Sequence, residues 1–367
     1  MNRSTNARSS SFILHPSSFR RGFTLVEMLT VVVIIGILAS FLVVAVQAAR
    51  KRAKVFAIHQ EVMQLDAAVK DMKNDYGDYP PDFTDYNPTT KTYAAVDRWL
   101  LRAFPRYYTG ANTPSQQMVL DIQNNYGVTV SNPASALVVF LGGVPGVTGV
   151  YYKSSSIPPG YTVQNPSGTA IPWRSDGFYA DPTCPFGPNN PYPNAGTVLQ
   201  PRIKAKYEFP GTRVDLSLGS PYFCPPGVTA ASPNIIPAPY VYFRAGLDQV
   251  GGYWCYGYCF NSAGPNYAAQ IFPSAATDYV VPYQKVVPTG NNAVINPPWR
   301  NNDTFQIISS GLDGLYGQNR PASAPYAAGR VAGLPQMLFI YPSGGGDMDN
   351  ITNFIQNGST LEDELKQ

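Results

Sequence analysis

From Phe23 to Val46 the chain reads FTLVEMLTVVVIIGILASFLVVAV, 24 residues with Glu27 as the only charge and no proline. At about 1.5 Å per residue such a helix is roughly 36 Å long, enough for a bilayer and longer than the apolar stretch of an ordinary secretory signal. A retained anchor is the reading that follows. Beyond it the pattern changes but does not break: Val55, Ile58, Val62, Leu65, Val69 and Met72 recur at spacings of three and four. That is one apolar stripe on an otherwise polar helix. Gly77, Pro80 and Pro81 supply the stop. The spacing predicts one helix from Phe23 to about Tyr76, roughly 80 Å long. The chain is therefore divided into a basic leader (1–22), a membrane segment (23–46), an amphipathic continuation (47–79) and a β-rich body (80–367). The stripe is expected to pack on the protein's own β-sheet, with a coiled-coil dimer as the alternative. His59 lies off the stripe and is expected in solvent.

After Tyr79 the periodicity shortens. Ala205 to Phe209, Tyr240 to Arg244, Asp278 to Val281, Phe305 to Ser309 and Met337 to Tyr341 are β-branched or aromatic runs bounded by Pro, Gly or Asn, and each predicts a strand. Ala136 to Leu141 reads as either a buried strand or a short helix, and Gly142 to Gly146 as a turn without dinucleotide-loop spacing. The stretches Ser154 to Asn194 and Ser220 to Pro239 are dense in Pro, Gly and Asn and read as ordered surface loops. With 35 Pro, 32 Gly and 25 Tyr in 367 residues, turns should interrupt short strands through most of the body.

Charge and rare residues narrow the chemistry. Lys and Arg number 26 against 23 Asp and Glu, but Arg3, Arg8, Arg20 and Arg21 all precede Gly22, so the remainder is near neutrality and no nucleic-acid partner is expected. His15 and His59 are the only histidines, which disfavours triad and His-zinc catalysis. Acids are too scattered to nominate a catalytic pair, so no enzyme is expected. Cys184, Cys224, Cys255 and Cys259 lack the spacing of a redox or zinc motif. They read as disulfides in an oxidising compartment, or alternatively as buried thiols. Basic residues flank the apolar segment on both sides, with Arg50, Lys51, Arg52 and Lys54 following it, so orientation rests on the cysteines. These put the leader in the cytoplasm and the body outside it.

Glu27 is the anomaly, since a carboxylate in an apolar span costs about 2.5–3.5 kcal/mol at the bilayer centre unless it is paired or snorkels to the interface. Its surroundings offer a partner. The segment Arg20-Arg21-Gly22-Phe23-Thr24-Leu25-Val26-Glu27 resembles the processing site of type IV pilins and type II secretion pseudopilins. The resemblance implies cleavage by a prepilin peptidase between Gly22 and Phe23, N-methylation of Phe23, and pairing of Glu27 with the N-terminal amine of a neighbouring subunit. A charge-assisted bond inside an apolar filament core would give that costly carboxylate a use as a register device. The fold implied is α+β and pilin-like: a long N-terminal helix, half membrane and half amphipathic, packed on a small antiparallel β-sheet with large loop-rich insertions. The proline that family members often carry late in the apolar segment is absent from Phe41 to Val46, so a straighter helix is expected.

Two later stretches extend the likeness. Phe305 to Gly317 is similar to the last strand and turn of major pseudopilins, and Gly346 to Phe354 to the acidic segment that closes their calcium loop. Here about 30 residues separate the two, and Asn350 stands where the family usually has an acid. The resemblance nominates Asp313, Asp349 and Asn350 as calcium ligands, Asp347 as a weaker one, and Ser310 or Leu312 as backbone donors, a set of oxygens that suits calcium. Turn and helix-cap chemistry is the alternative use of the same residues. The function implied is a structural pseudopilin subunit of a short periplasmic pseudopilus for type II protein secretion. Its partners would be prepilin peptidase, other pseudopilin subunits and copies of itself, the inner-membrane assembly platform and membrane lipid, with a cytoplasmic ATPase as the energy source. Its location would be the bacterial inner membrane, single-pass, and then the periplasmic filament. The alternatives are a type IV pilin for adhesion, motility or DNA uptake, and an anchored ectodomain whose Trp99, Trp173, Trp254 and Trp299 form a platform for carbohydrate or protein.

Overall fold

A computed structural model gives the fold. It describes residues 24–87, 92–107, 110, 112–145, 173–187, 201–216, 219–226, 238–247, 254–256, 280, 282–283, 300–301, 303–312, 314, 316 and 350–355. The chain divides into two compact units, Met1–Lys51 and Arg52–Gln367.

Helix α1 (Leu25–Tyr76) runs where the periodicity predicts it and passes Phe41 to Val46 without interruption. From Leu25 to Val46 it is apolar on every side apart from Glu27 and exposed throughout, and the helix is long and apolar enough to cross a membrane. Its portion in the second unit is one-sided. Ile58, Val62, Leu65, Ala68, Val69 and Met72 are buried, with Val55 packed at the edge of the same core. The backbone N–H of Gly77 donates to Lys73 O at 2.7 Å, and its φ of +76° is a turn that glycine takes without strain.

A small hairpin follows, β1 (Tyr86–Asn87) with β2 (Thr92–Tyr93), and then three helices, α2 (Ala94–Ala103), α3 (Pro114–Tyr126) and α4 (Pro133–Gly142). Local rules make the last two. Thr113 and Gln116 form a capping box before α3, Pro114 occupies its first turn, and Gly127 closes it in the left-handed region. Asn132 and Ser135 do the same for α4, again with proline in the first turn. Every residue of α4 is buried, so its apolar run needs no alternation and Ala136 to Leu141 is helix, the second of its two readings.

The remaining strands pair antiparallel. Strand β3 (Phe178–Tyr179) pairs with β4 (Arg202–Ile203), and β5 (Val214–Asp215) with β6 (Tyr222–Phe223). Strands β7 (Val241–Leu247), β8 (Trp254–Tyr256), β9 (Phe305–Ser309) and β10 (Ile351–Thr352) form a four-stranded sheet in the order β10-β9-β7-β8. Its register sets Val241 opposite Ile308 and Ile351 opposite Ser309. The core that takes up the stripe of α1 includes Tyr242, Phe305 and Ile307 from this sheet together with Trp99 of α2 and Phe140 of α4. The fold is thus α+β, a long N-terminal helix packed on small antiparallel sheets, consistent with a pilin-like architecture.

Several expectations change. Ala205 to Phe209 is not a strand: β4 ends at Ile203, and Lys206 and Tyr207 instead donate their backbone N–H groups to Leu141 O at 2.8 and 3.2 Å. His59 is buried rather than solvated, with Nε2 3.0 Å from Ile355 O, because the end of β10 folds over that flank of α1. Trp99 and Trp173 are buried and so belong to no exposed platform. The Pro- and Gly-rich stretches also contribute core, through Trp173, Phe178, Phe186 and Phe223. Of Asp278 to Val281 only Val280 is described, and Met337 to Tyr341 lies outside the described residues, as do the rings of Trp254 and Trp299. Cys184 and Cys224 are buried thiols, and burial pushes the Cys224 thiol up to about 12. The side chains of Cys255 and Cys259 lie outside the described residues.

Polar side chains fasten the second-unit portion of α1 to its sheet. Glu61 receives both terminal nitrogens of Arg213 and, at 2.6 Å, the hydroxyl of Tyr240. Asn353 donates to Asp66 at 2.9 Å and to Phe305 O, while its own Oδ1 accepts from Ile307 N at 3.0 Å. Lys206 bridges Asp71 and Asp75 at 2.7 and 2.5 Å. The Glu61 pair is mostly enclosed, with side-chain exposures of 24% for Arg213 and 17% for Glu61, and Arg213 also lies over the Phe223 ring. Glu61→Gln should therefore cost about 2 kcal/mol in urea unfolding of the full chain in detergent, well above an exposed pair. Gly143→Ala should cost about 3 kcal/mol or more in the same assay. Gly143 sits at φ +75°, and an added Cβ would lie 2.2 Å from the Gly177 carbonyl.

Candidate functional site

Two places carry the residues nominated from sequence. At the first, Gly22 and Phe23 lie outside the described residues, and Thr24 opens α1. Glu27 sits in the first turn, where negative charge is favoured by the unpaired amides of a helix start. Its Oε2 accepts from the backbone N–H of Thr24 at 2.8 Å and from the Thr24 hydroxyl at 2.9 Å. The Thr24 hydroxyl oxygen in turn accepts from Glu27 N at 3.2 Å. This reciprocal box holds the carboxylate beside the chain's N-terminal side of the helix instead of letting it extend sideways. The helix around it, from Leu25 to Val46, has no other ionisable side chain and is exposed along its whole length. Such a surface needs an apolar surrounding, either lipid or copies of itself.

At the second place, Asn350 is fully buried just before β10. Its Nδ2 donates to the Tyr283 hydroxyl at 2.8 Å and to Tyr316 O at 3.2 Å. Its Oδ1 is buried and has no hydrogen-bond partner among the described residues. An amide oxygen held this way is the type of donor that a hard cation takes up. The Ser310 hydroxyl donates to Ala238 O at 3.4 Å, and Leu312 packs at the edge of the core. The structure therefore brings Asn350, Ser310 and Leu312 to one end of β9 and β10. Asp313, Asp347 and Asp349 lie outside the described residues, and among the described residues no group of three or more His, Cys, Asp or Glu is assembled.

Sequence reasoning missed Thr24 as the partner of Glu27, although the Thr-x-x-Glu spacing signals it. It also missed Glu61 and Asp66, which carry the fastening of α1 and which a hydrophobic stripe does not reveal.

Comparison with known families finds the prokaryotic N-terminal methylation motif at residues 17–43, spanning Gly22, Phe23 and Glu27. No curated protein and no solved structure matches the chain. The motif supports a protein of the pilin or pseudopilin type, handled by a prepilin peptidase, assembled with other pilin-type subunits and anchored by its N-terminal helix.

If the box between Thr24 and Glu27 presets the carboxylate, Thr24→Ala should lower incorporation into assembled fibres several-fold while leaving membrane insertion intact, and Thr24→Ser should retain it. Quantifying the sheared fibre fraction against the membrane fraction checks both.

Proposed function

We propose that the chain is a pseudopilin: a non-catalytic subunit cleaved between Gly22 and Phe23, methylated on Phe23, and polymerised into a short periplasmic filament that serves type II secretion. The observation that carries this reading is Glu27, a single carboxylate in the otherwise uncharged apolar segment from Phe23 to Val46, lying within a matched methylation motif. Its desolvation is tolerable if the α-amino group created by cleavage of a neighbouring subunit meets it. The pair then fixes the axial step of the filament, because an offset subunit would leave two unpaired charges in an apolar core. Residues 23–46 would form that core and lie in the inner membrane before assembly, with residues 47–79 continuing the stem and 80–367 exposed in the periplasm. A platform protein and cytoplasmic ATPase would drive extraction.

The similarity of Phe305 to Gly317 and of Gly346 to Phe354 to major pseudopilins favours this role over a type IV pilin. Under the same reading Asn350, whose amide oxygen has no hydrogen-bond partner among the described residues, would hold calcium with Asp313, Asp349 and, as a weaker ligand, Asp347, and the ion would supply only structural cross-linking of the loop to the sheet.

Two experiments test the reading. With the wild-type and Glu27→Ala chains expressed beside an active secretion system, the variant should insert normally, keep a folded body and lose at least about 90% of fibre incorporation and cargo export; unchanged assembly and export would count against the role. Added calcium should raise the unfolding midpoint of the wild-type chain by several degrees, and Asp313→Asn should abolish that rise.

A further inference from the structure

The loop that follows α1 holds two buried acids that tie it to α2 and β7. Asp82 is 4% exposed. Its Oδ1 accepts from the backbone N–H and hydroxyl of Thr84 at 3.1 and 2.8 Å, and its Oδ2 accepts from the backbone N–H of Arg244 in β7 at 2.9 Å. Asp85 is 5% exposed, and its Oδ2 accepts from the backbone N–H of Ala95 in the first turn of α2. That contact replaces a missing cap, since Tyr93 at the start of α2 makes no side-chain bond to the helix. The Oδ1 of Asp85 is buried and has no hydrogen-bond partner among the described residues.

Between the acids, Phe83 sits at φ +61°, a conformation that a bulky side chain holds only when its surroundings impose it. Its ring is stacked on Phe140 and set edge-on to Tyr93. A strained residue, a buried pair of acids and a helix start with a borrowed cap therefore meet in one short loop.

The charges facing the pair do not neutralise it. Arg98 of α2 favours ionisation of Asp85 but is exposed. Arg244 of β7 favours ionisation of Asp82, while its guanidinium is engaged by Asp78 at 2.8 Å. Tyr242 of β7 and Tyr256 of β8 also face Asp82, and burial keeps both phenols neutral. Asp97 of α2 is occupied with the backbone N–H of Ser115 at 2.6 Å.

We propose that Asp85 is a proton-operated latch: a proton held on its carboxyl keeps the loop closed between the end of α1 and the start of α2, and its loss loosens that joint. The neutral carboxyl still offers an oxygen to the Ala95 amide, and it removes one of two like charges from an apolar interior. Burial, with repulsion from Asp82 in addition, pushes the Asp85 carboxyl up to about 6. The folded value lies above the ordinary aspartate value near 3.9, so the folded loop binds the proton more tightly than the unfolded chain. The stabilisation is therefore full below about pH 4 and is lost as pH rises through about 6. The latch is independent of how the subunit assembles.

Hydrogen exchange of the full chain in detergent, corrected for the intrinsic pH dependence of exchange, tests this at pH 5, 6 and 7.5. Protection of the segment from Ala94 to Leu100 should fall about tenfold or more between pH 5 and 7.5, while β9 changes much less. In Asp85→Asn the protection should be independent of pH across that range. In Arg98→Gln, which removes a favourable charge without touching the loop, the midpoint should move to higher pH. A flat wild-type profile, or the same fall in Asp85→Asn, would overturn the proposal. If Asp85→Asn does not fold, an unshifted midpoint in Arg98→Gln would overturn it equally.

Discussion

Ile58, Val62, Leu65, Ala68, Val69 and Met72 lie on one face of α1, and the second unit is organised around covering them. The helix cannot leave that face in water, at roughly 25 cal/mol per Å² of apolar surface. Tyr242 from β7 and Phe305 and Ile307 from β9 pack into the same core, joined by Trp99 and Phe140 from the helices that precede the sheet. Polar contacts then select one rotation and one height of the helix. Glu61 fits only where Arg213 and Tyr240 both reach it, and Asp66 only where Asn353 does. The apolar stripe supplies most of the attraction, and the polar fasteners supply the register.

The first-unit portion of the same helix follows a different rule. From Leu25 to Val46 it is apolar all round, so no face is preferred by hydrophobicity and only Glu27 distinguishes one axial position from another. In the body a charged group sets position where apolar contacts alone would slide, and the proposed assembly gives Glu27 the same task. The body uses Glu61 and Asp66, with partners present in the chain. For Glu27, the Thr24 box satisfies one carboxylate oxygen, and an ammonium group from another subunit is the complement that the proposed assembly provides.

How much was legible followed the range of the forces involved. The span of α1 and the identity of its buried stripe were readable, because helical periodicity is a local signal repeated over many turns. Tyr240 to Arg244 and Phe305 to Ser309 were readable as well, since their partners sit at standard antiparallel register with both faces covered. Helices α2 and α3 are not among the expected elements, because the composition points to turns and short strands, although Thr113-Pro114 and Gln116 state the start of α3 outright. Ala205 to Phe209 has strand-like residues but spends the amides of Lys206 and Tyr207 on Leu141 O and that of Phe209 on the Ser175 hydroxyl, tertiary choices that no local pattern encodes. His59 was misjudged for the same reason, since the chain that covers it returns nearly 300 residues later. Of the candidate sites, Glu27 stands out as the lone charge in an apolar run, whereas nothing local singles out Asp82 and Asp85, whose setting is made by contacts with α2 and β7.

The account turns on what happens at Gly22 and Phe23, and the most direct measurement is the N-terminal sequence and intact mass of the mature chain, produced with and without an active prepilin peptidase. The account predicts a chain that begins at N-methylated Phe23 when the peptidase is present and retains residues 1–22 when it is absent. A mature chain beginning near Ala49, or an intact leader despite an active peptidase, would contradict it: the Glu27 carboxylate would then have no new amine to meet.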